Sequence, residues 1–427
     1  MGLISHIKCI ENTVLQMIRQ LFCGEEIVVA TASQPGSEYP GRFYGSHLRN
    51  NSPMIFLFFR HDDTMKKRII AFLFFSVCSG TSYSAVIYKK DGNSLDLYGR
   101  MNGLMYSSRN SAKEGDHSFV RFGFKGNAML SRHMEGYGRL EVQKNTNQPE
   151  SVDKSQTRLG YAGLRTASGN TLDYGRNTGV LFDIGNWTNG RWTGILPGMG
   201  IDTYESQDNF MAKRSNNLLT FRSRNISGLV SGLDIAMQFQ GRNGGWNDTE
   251  HVTPESNNPR GVAHQNGNGY GVSAIYRFDN GLSLGGAGMD AQRTREQKQD
   301  GHGDRAKAWT AGIKYDRNHY YLAADYAVTK DMTWFKNHFA DRTDNTEMVA
   351  QYHFRNGLRP LLVWSQSRES IHGHKRDMIR FIDAGVDYLL NKNMMVYLDY
   401  KINLIHNDNS YNADSDDVMA AGIMYHF

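Results

Sequence analysis

From residue 95 onward, apolar and polar side chains alternate over stretches of about ten residues. The odd positions from Leu95 to Met105 are apolar or glycine, whereas the charged residues Asp96 and Arg100 stand at even positions. The same parity returns in three further segments, 382–388, 394–402 and 419–427. A period of two is typical of a β-strand with one apolar and one polar face. The pattern therefore predicts an all-β protein, either a soluble sandwich or a barrel inserted in lipid.

Compact turn motifs separate these strands at a regular spacing. They lie at Asp279-Asn280-Gly281, Asp316-Arg317-Asn318, Arg355-Asn356-Gly357 and Asn391-Lys392-Asn393, with centres 37, 39 and 36 residues apart. One interval holds two strands of about ten residues, a short turn and a longer loop, as in outer-membrane barrels. Earlier turns fit near Arg132 and Gly169, but the next, near Gly228, comes 59 residues later. This excess predicts an unusually long loop around 182–212 in a transmembrane antiparallel β-barrel of about 16 strands.

Residues 65–84 have the order of a secretory signal peptide. A basic start, Met65 to Arg68, precedes a nine-residue apolar core, Ile69 to Val77, and a small-residue site at which we expect cleavage after Ser84. Residues 1–64 are then an upstream extension of unknown status, and we expect translation to start at Met65, which makes that extension a start-site artefact. Residues 85–427 are expected to form the barrel, and an exported chain favours the membrane over the sandwich.

Charge and cysteine content narrow the function classes. The formal net charge is only +5, with acidic and basic residues interspersed, so we expect no nucleic-acid partner. The cysteines Cys9, Cys23 and Cys78 all precede the expected barrel, which excludes a thiolate metal site within it. The sequence contains no run of 18 or more apolar residues, which is the length that a transmembrane helix needs. We predict no cofactor.

Several short motifs resemble catalytic or metal sites, and we interpret each as structural. The G-x-S-x-G run Gly281 to Gly285 follows a hairpin turn rather than preceding a helix, and the glycines 267, 269 and 271 also lack a following helix. Two groups of candidate cation ligands, His372 with His374 and Asp300 with His302 and Asp304, fit solvated external loops better. We therefore expect no enzyme and no metal site.

At the level of longer motifs, the chain resembles the general porins of enterobacterial outer membranes, of the osmoporin and matrix-porin type. The motifs are Asp91 to Arg100, Phe122 to Gly126, Leu172 to Asn177, Asn391 to Met394 and the ending Gly422 to Phe427. The resemblance implies a homotrimer of 16-stranded barrels among outer-membrane lipids and lipopolysaccharide. It further implies a water-filled channel for ions and small hydrophilic solutes, and Phe427 as part of the signal read by the barrel-assembly machinery.

The same resemblance implies a pore constriction. A third external loop, here 186–210, folds into the lumen, with Pro197, Gly198 and Gly200 at its tip and Asp202 as its acidic residue. Basic residues opposite it map to Arg100, Arg121, Arg158 and Arg214. Alternation along the strand puts Glu141 on a lumen face with Arg139, and we count Glu141 among the constriction residues. Glu150 maps to a latch that reaches a neighbouring subunit, where Arg176 is the expected partner.

The chain departs from this family at the loop tip. Gly194 and Gly198 stand where relatives carry acidic residues, which predicts a weaker cation preference or a mild anion preference. Asp183, Glu205 and Asp208 offer compensating charge, which leaves the sign open. Two alternatives also stay open: a solute-specific channel, which needs an aromatic track along the lumen, and an outer-membrane barrel enzyme.

Overall fold

The computed structural model describes residues 28–31, 55–58, 85–152, 155–188, 206–245, 260–406 and 411–427. The chain forms two compact units, Met1–Phe74 and Phe75–Phe427. In the first unit, β1 (Val28–Thr31) pairs antiparallel with β2 (Ile55–Phe58). Among the described residues, no helix combines the length and apolar character needed to cross a membrane.

The second unit is a closed antiparallel barrel of 16 strands. The strands of this unit are β3 (Ala85–Lys90), β4 (Asn93–Ser108), β5 (Gly115–Asp116), β6 (Phe119–Ser131), β7 (Met134–Asn145), β8 (Ser155–Thr166), β9 (Thr171–Thr178), β10 (Arg214–Ser223), β11 (Leu233–Gln240), β12 (Gly269–Arg277), β13 (Leu282–Gln292), β14 (Arg305–Arg317), β15 (Tyr320–Lys330), β16 (Trp334–Phe335), β17 (His338–Phe339), β18 (Arg342–Tyr352), β19 (Leu358–Ile371), β20 (His374–Leu389), β21 (Met394–Asn403) and β22 (Val418–His426). Short β3 and β5 extend the wall, and β16 with β17 forms a separate hairpin. The predicted strand number is confirmed.

The first and last long strands close the barrel. β22 pairs with β4 from Val418 opposite Ser108 to His426 opposite Arg100. Beyond this pairing, the Gly99 amide donates to the Phe427 carbonyl at 3.0 Å, and the Phe427 amide donates back at 3.1 Å. A β-carbon on residue 99 would lie 2.5 Å from the Phe427 ring, so the ring fits only over glycine.

The two faces of the wall differ as the alternation predicts. Large apolar side chains are exposed on the outer face, including Met105, Leu322, Met348 and Leu362. Buried polar and charged side chains alternate with them on the inner face, including Asn102, Asp325, Glu347 and Asp383. An apolar exterior meets lipid, and a polar interior lines a water-filled lumen.

Short and long connections fall at opposite ends of the barrel. The predicted turns correspond to the connections 278–281, 318–319, 353–357 and 390–393, and the earlier ones to 132–133, 167–170 and 224–232. The other end carries the long connections, apart from the two-residue link 372–373. The predicted long loop is the connection 179–213, which includes helix α1 (Phe182–Gly185). Short turns face the periplasm in such barrels, so the long loops are extracellular.

Candidate pore constriction

Four arginines and one carboxylate meet on the inner wall. Arg100 on β4 stands directly opposite Arg121 on β6. The electrostatic neighbours of Arg121 also include Arg158 on β8, Arg214 at the start of β10, and Glu141 on β7. The barrel thus brings together the five wall residues that the sequence predicts. Arg100, Arg121 and Glu141 occupy the lumen phase of their strands. Arg158 lies instead at a register shift in the pairing of β7 with β8, and Arg214 begins β10 just before another register shift.

Glu141 is the only carboxylate within this group. Its side chain is buried and accepts hydrogen bonds from Arg158 Nε at 2.7 Å, Tyr98 Oη at 3.0 Å and Arg139 Nη2 at 3.1 Å. Gly123 lies opposite Glu141, and a β-carbon there would come within 2.6 Å of Tyr98 Oη. One negative charge is therefore shared between two guanidinium groups, and Gly123 leaves the space for that arrangement.

Among the described residues, the other three arginines of this group have no acidic side chain in an ion pair with them. The guanidinium carbons of Arg100 and Arg121 lie 5.3 Å from the centroid of the Phe119 ring. Arg121 also donates from Nε and Nη2 to Gln143 Oε1, at 3.2 and 2.7 Å. Within the described part of the chain, Arg100, Arg121 and Arg214 form no ion pair, and Nε of Arg100 and Arg214 has no hydrogen-bond partner. Counted over the described residues, this part of the wall therefore carries more positive than negative charge.

The first leg of the connection 179–213 packs against the inner wall through α1. Ile184 is fully buried, with its methyl groups over Gly285 on β13 and Gly312 on β14. The Trp187 ring covers the same two glycines. Since a side chain at either glycine would occupy this space, these positions act as sockets for the loop. A glycine within a β-strand often marks a place where another segment approaches the backbone closely.

A threonine fixes the end of this leg. Thr188 Oγ1 lies 2.5 Å from Asp325 Oδ2 and 2.6 Å from Glu347 Oε2, and all three side chains are buried. Tyr321 Oη donates to the Trp187 carbonyl at 2.7 Å. The leg is thus tied to β15 and β18 by its side chain and its backbone.

Two loop carboxylates form ion pairs with arginines outside the group of four described above. Asp183 accepts two hydrogen bonds from Arg222 Nη1, at 2.9 and 2.8 Å, and a third from Ser273 Oγ at 2.6 Å. Asp208, on the returning leg, pairs with Arg176 at 2.6 Å and with Arg260 at 3.3 Å. Both carboxylates therefore attach the loop to the wall, and little of their charge is left to oppose the arginines.

The remaining predicted site residues are those of the loop tip and of the latch. The tip residues Pro197, Gly198 and Gly200, together with Gly194, Asp202 and Glu205, fall outside the described residues. Glu150 is exposed in the connection 146–154. Its expected partner Arg176 makes contacts within its own chain, because Nη1 donates to Asp208 and Asn216 and Nε donates to the Thr157 carbonyl at 2.9 Å.

Sequence reasoning missed the aromatic and amide partners of the arginines. Phe119 and Gln143 stand on the lumen phase of β6 and β7, two residues from Arg121 and Glu141 respectively. Extending the parity argument from charged to aromatic and amide residues finds them. Tyr98 stands on the polar face of β4, but no pattern along the chain indicates that its hydroxyl reaches β7.

Cations cover two of the aromatic rings in the lumen, those of Tyr98 and Tyr137. Lys125 Nζ and the Arg139 guanidinium lie 4.6 and 4.9 Å from the Tyr98 ring centroid. Arg165 lies 4.7 Å from that of Tyr137. A ring whose face is covered by a cation does not offer that face to a sugar, so these contacts disfavour the aromatic track of a solute-specific channel.

The motifs interpreted as structural lie on turns, strands and external loops. Gly281 lies in a turn and Ser283 on β13, with no helix after them. His302 contacts Asp341 at 3.1 Å and Asp331 at 3.5 Å in the external loops. Within the described ranges, no three His, Cys, Asp or Glu side chains are arranged to hold a metal ion.

Comparison with known proteins agrees with this geometry. The family model described as Gram-negative porin matches residues 90–427. Outer membrane porin N of Escherichia coli strain K12 is 41% identical over 385 residues, covering 85% of this chain and all of the relative. The solved structure of Salmonella typhi OmpF in complex with daunomycin is similar with a TM-score of 0.70 and 34% identity, covering 80% of this chain and all of that one. OmpT of Vibrio cholerae, solved in a trimer form, shares the fold with a TM-score of 0.55 and 12% identity, covering 79% of this chain and all of that one.

Proposed function

Since this chain belongs to the Gram-negative porin family and is a general diffusion porin of the bacterial outer membrane, not an enzyme, we propose that its channel is narrowest between the arginine wall and the loop 179–213. At that point a transverse field would orient polar solutes and sort ions by sign. Arginine suits this role because it stays charged at any working pH.

We propose further that the channel leans towards anions more than its relatives do. The observation that carries this proposal is the charge imbalance at the wall, where Arg100, Arg121 and Arg214 lack an ion pair within the described residues. Because Asp183 and Asp208 are engaged by other arginines, they offset little of this charge. Glycine at 194 and 198 removes two further acidic positions from the loop, and Asp202 is the acidic residue proposed to remain at the constriction.

Reversal potentials in a planar bilayer under a salt gradient test the proposal. We expect a near-neutral or anion-leaning potential for the wild-type channel and a shift towards cations for Arg121→Gln. Arg355→Gln, which removes an exposed charge in a periplasmic turn, is the matched control and should change nothing. A strongly cation-selective wild type, or equal potentials for both variants, would overturn the assignment.

The loop tip has its own test. Gly198→Glu would restore a carboxylate opposite the arginines and should raise the cation preference. Gly228→Glu, in the periplasmic connection 224–232, adds the same charge outside the proposed constriction and serves as the control. Equal selectivity in the two variants would place residue 198 away from the narrow point.

We propose that the chain assembles as a homotrimer, as reported for the trimer form of OmpT. In the proposed latch, Glu150 reaches Arg176 of a neighbouring subunit. Arg176 has five N–H groups, four of which are used by Thr157, Asn216 and both oxygens of Asp208. The fifth N–H has no acceptor among the described residues and is the one proposed for the latch. Glu150→Gln should then lower the temperature at which trimers dissociate in detergent, whereas an unchanged temperature would remove the latch.

Export and assembly complete the proposal. Residues 65–84 would act as the signal peptide that delivers 85–427, with 1–64 preceding it, and Phe427 would be read by the barrel-assembly machinery. Lipopolysaccharide and outer-membrane lipids would surround the folded barrel. Amino-terminal sequencing of protein from isolated outer membranes tests the first point, because a start other than Ala85 contradicts the cleavage site.

A further inference from the structure

Phe119 is an apolar side chain on the face of the wall that otherwise carries polar groups. It begins β6 and stands directly opposite Asn102 on β4 and Asn145 on β7. Arg121 follows two residues later and shares this face, since side chains two residues apart in a strand point to the same side. The Phe119 side chain is nevertheless only 3% exposed. Apolar surface is unfavourable in water, so the groups that cover this ring indicate its role.

Two guanidinium groups lie over this ring. Arg100 and Arg121 stand directly opposite each other on β4 and β6, and the guanidinium carbon of each lies 5.3 Å from the centroid of the Phe119 ring. Like charges directly opposite each other in a sheet are destabilising. A cation within about 6 Å of a ring centroid is attracted by the quadrupole of the ring. A single ring that attracts both cations therefore offsets part of their mutual repulsion.

Of the two arginines, Arg100 depends more on the ring. Arg121 is also held by Gln143, whose Oε1 accepts from Nε at 3.2 Å and from Nη2 at 2.7 Å. The other polar contact of Arg100 joins Nη1 to Met424 Sδ at 4.0 Å, and a thioether is a weak acceptor. Its Nε has no hydrogen-bond partner, and no carboxylate of the described ranges forms an ion pair with it. The contact with Phe119 is therefore the main one that fixes the Arg100 guanidinium.

We propose that Phe119 positions the guanidinium groups of Arg100 and Arg121 and thereby sets how strongly the lumen attracts anions. The inference rests on the proposed function for the role of the arginine wall, and it adds a positioning residue that carries no charge. Without the ring, the mutual repulsion of the two cations would drive their guanidinium groups apart. A long side chain that nothing fixes also keeps its rotamer freedom. The positive charge would then be spread along the lumen and would be weaker at the narrow point.

Ion selectivity tests this role. Phe119→Leu keeps an apolar side chain but removes the ring, and Phe119→Met is a second variant without a ring. Reversal potentials of the folded channels are recorded in planar bilayers under a gradient of potassium chloride. Both variants should lower the permeability ratio of chloride to potassium by roughly two- to fivefold, which is the size of a solvent-accessible cation–π contact expressed as an equilibrium constant. Phe119→Tyr keeps the ring and should retain the wild-type ratio.

A second arginine–phenylalanine pair supplies the matched control. The Arg293 guanidinium lies 4.9 Å from the centroid of the Phe339 ring, and both residues belong to the external loops. Phe339→Leu should therefore leave the permeability ratio unchanged. Heat-modified mobility in gels verifies that each variant is folded. A merely structural role of Phe119 would lower the unfolding temperature of the leucine variant without shifting its reversal potential.

The outcomes separate this inference from the proposed function. A wild-type permeability ratio in Phe119→Leu and Phe119→Met would overturn the positioning role, and so would an equal fall of the ratio in Phe119→Tyr, which retains the ring. If Arg121→Gln shifts the reversal potential and the two variants without a ring do not, the arginine wall stands and only the role of Phe119 is wrong. If Arg121→Gln has no effect either, the proposed constriction itself is wrong.

Discussion

The glycine sockets under α1 predict how the channel responds to a single added methyl group. In Gly285→Ala, the new β-carbon would lie 2.5 Å from Ile184 Cδ1 and 2.8 Å from the Trp187 ring. Carbon atoms in contact are about 3.5–4.0 Å apart. The loop leg must therefore move by about 1 Å away from the wall. Such overpacking of a buried contact costs about 1–3 kcal/mol.

The displacement has a direction. Because the leg rests on the inner wall, its movement away from Gly285 carries it into the lumen and reduces the open cross-section. We expect a lower single-channel conductance and a lower temperature of unfolding for Gly285→Ala. Gly312→Ala should act in the same sense, since its β-carbon would lie 2.7 Å from Ile184 Cγ2.

A neighbouring glycine supplies the control. A β-carbon on Gly286 would meet only the Thr310 carbonyl oxygen, at 3.5 Å, which is an ordinary contact. Gly286→Ala should therefore keep the wild-type conductance. Planar-bilayer recordings give the conductance of the three variants, and thermal unfolding gives their stability. If Gly285→Ala and Gly286→Ala conduct equally and unfold at the same temperature, the socket reasoning is wrong.

Three further predictions concern the loop anchor, an external bridge and the carboxyl terminus. Thr188→Val removes the hydroxyl between two buried carboxyl groups, so we expect a loss of about 1–3 kcal/mol in unfolding free energy and more frequent closures in single-channel traces, with Thr188→Ser as a silent control. Asp414, in the external connection 404–417, is partly buried, which raises its pKa, but a hydrogen bond from Lys113 and the charge of Lys401 outweigh burial and hold that pKa below its ordinary value. A lowered pKa stabilises the fold above the ordinary value of about 4 and loses this effect as the pH falls through the lowered one. At pH 7 the free energy of unfolding of Asp414→Asn should therefore be lower than that of the wild type by up to about 1 kcal/mol, and this difference should vanish in acid. A difference that does not depend on pH would refute the bridge. Phe427→Ala should reduce the amount of folded barrel in isolated outer membranes several-fold, measured by heat-modified mobility, and Phe427→Trp should retain most of it; equal loss in both would exclude a role for the aromatic ring.

The strands could be predicted from the sequence because lipid and water impose opposite demands on neighbouring positions. A charge such as Asp383 or Asp399 cannot move by one residue without entering the lipid face, so the alternation is strict and easily recognised. The turns could be predicted equally well, since glycine and asparagine mark them.

The loop anchors could not be predicted, because their partners are remote in sequence. Thr188 meets Asp325 and Glu347 across separations of 137 and 159 residues. Gly285 and Gly312 look like ordinary strand glycines until Ile184 occupies the space above them. Neither a parity rule nor a motif contains that information, since the contacts depend on which wall the loop approaches.

The seam between β4 and β22 determines when the barrel can be completed. The side chains joined across it are far apart along the chain, 324 residues for Arg100 and Met424 and 301 for Lys113 and Asp414. Contacts of such long range carry the largest closure entropy and form slowly. Until the final strand arrives, two strand edges stay open to any other chain, which is a hazard for aggregation. A nascent chain must therefore be protected until its last residues are made. A chain that ends before β22 cannot close its barrel, so it forms an open sheet instead of a smaller channel.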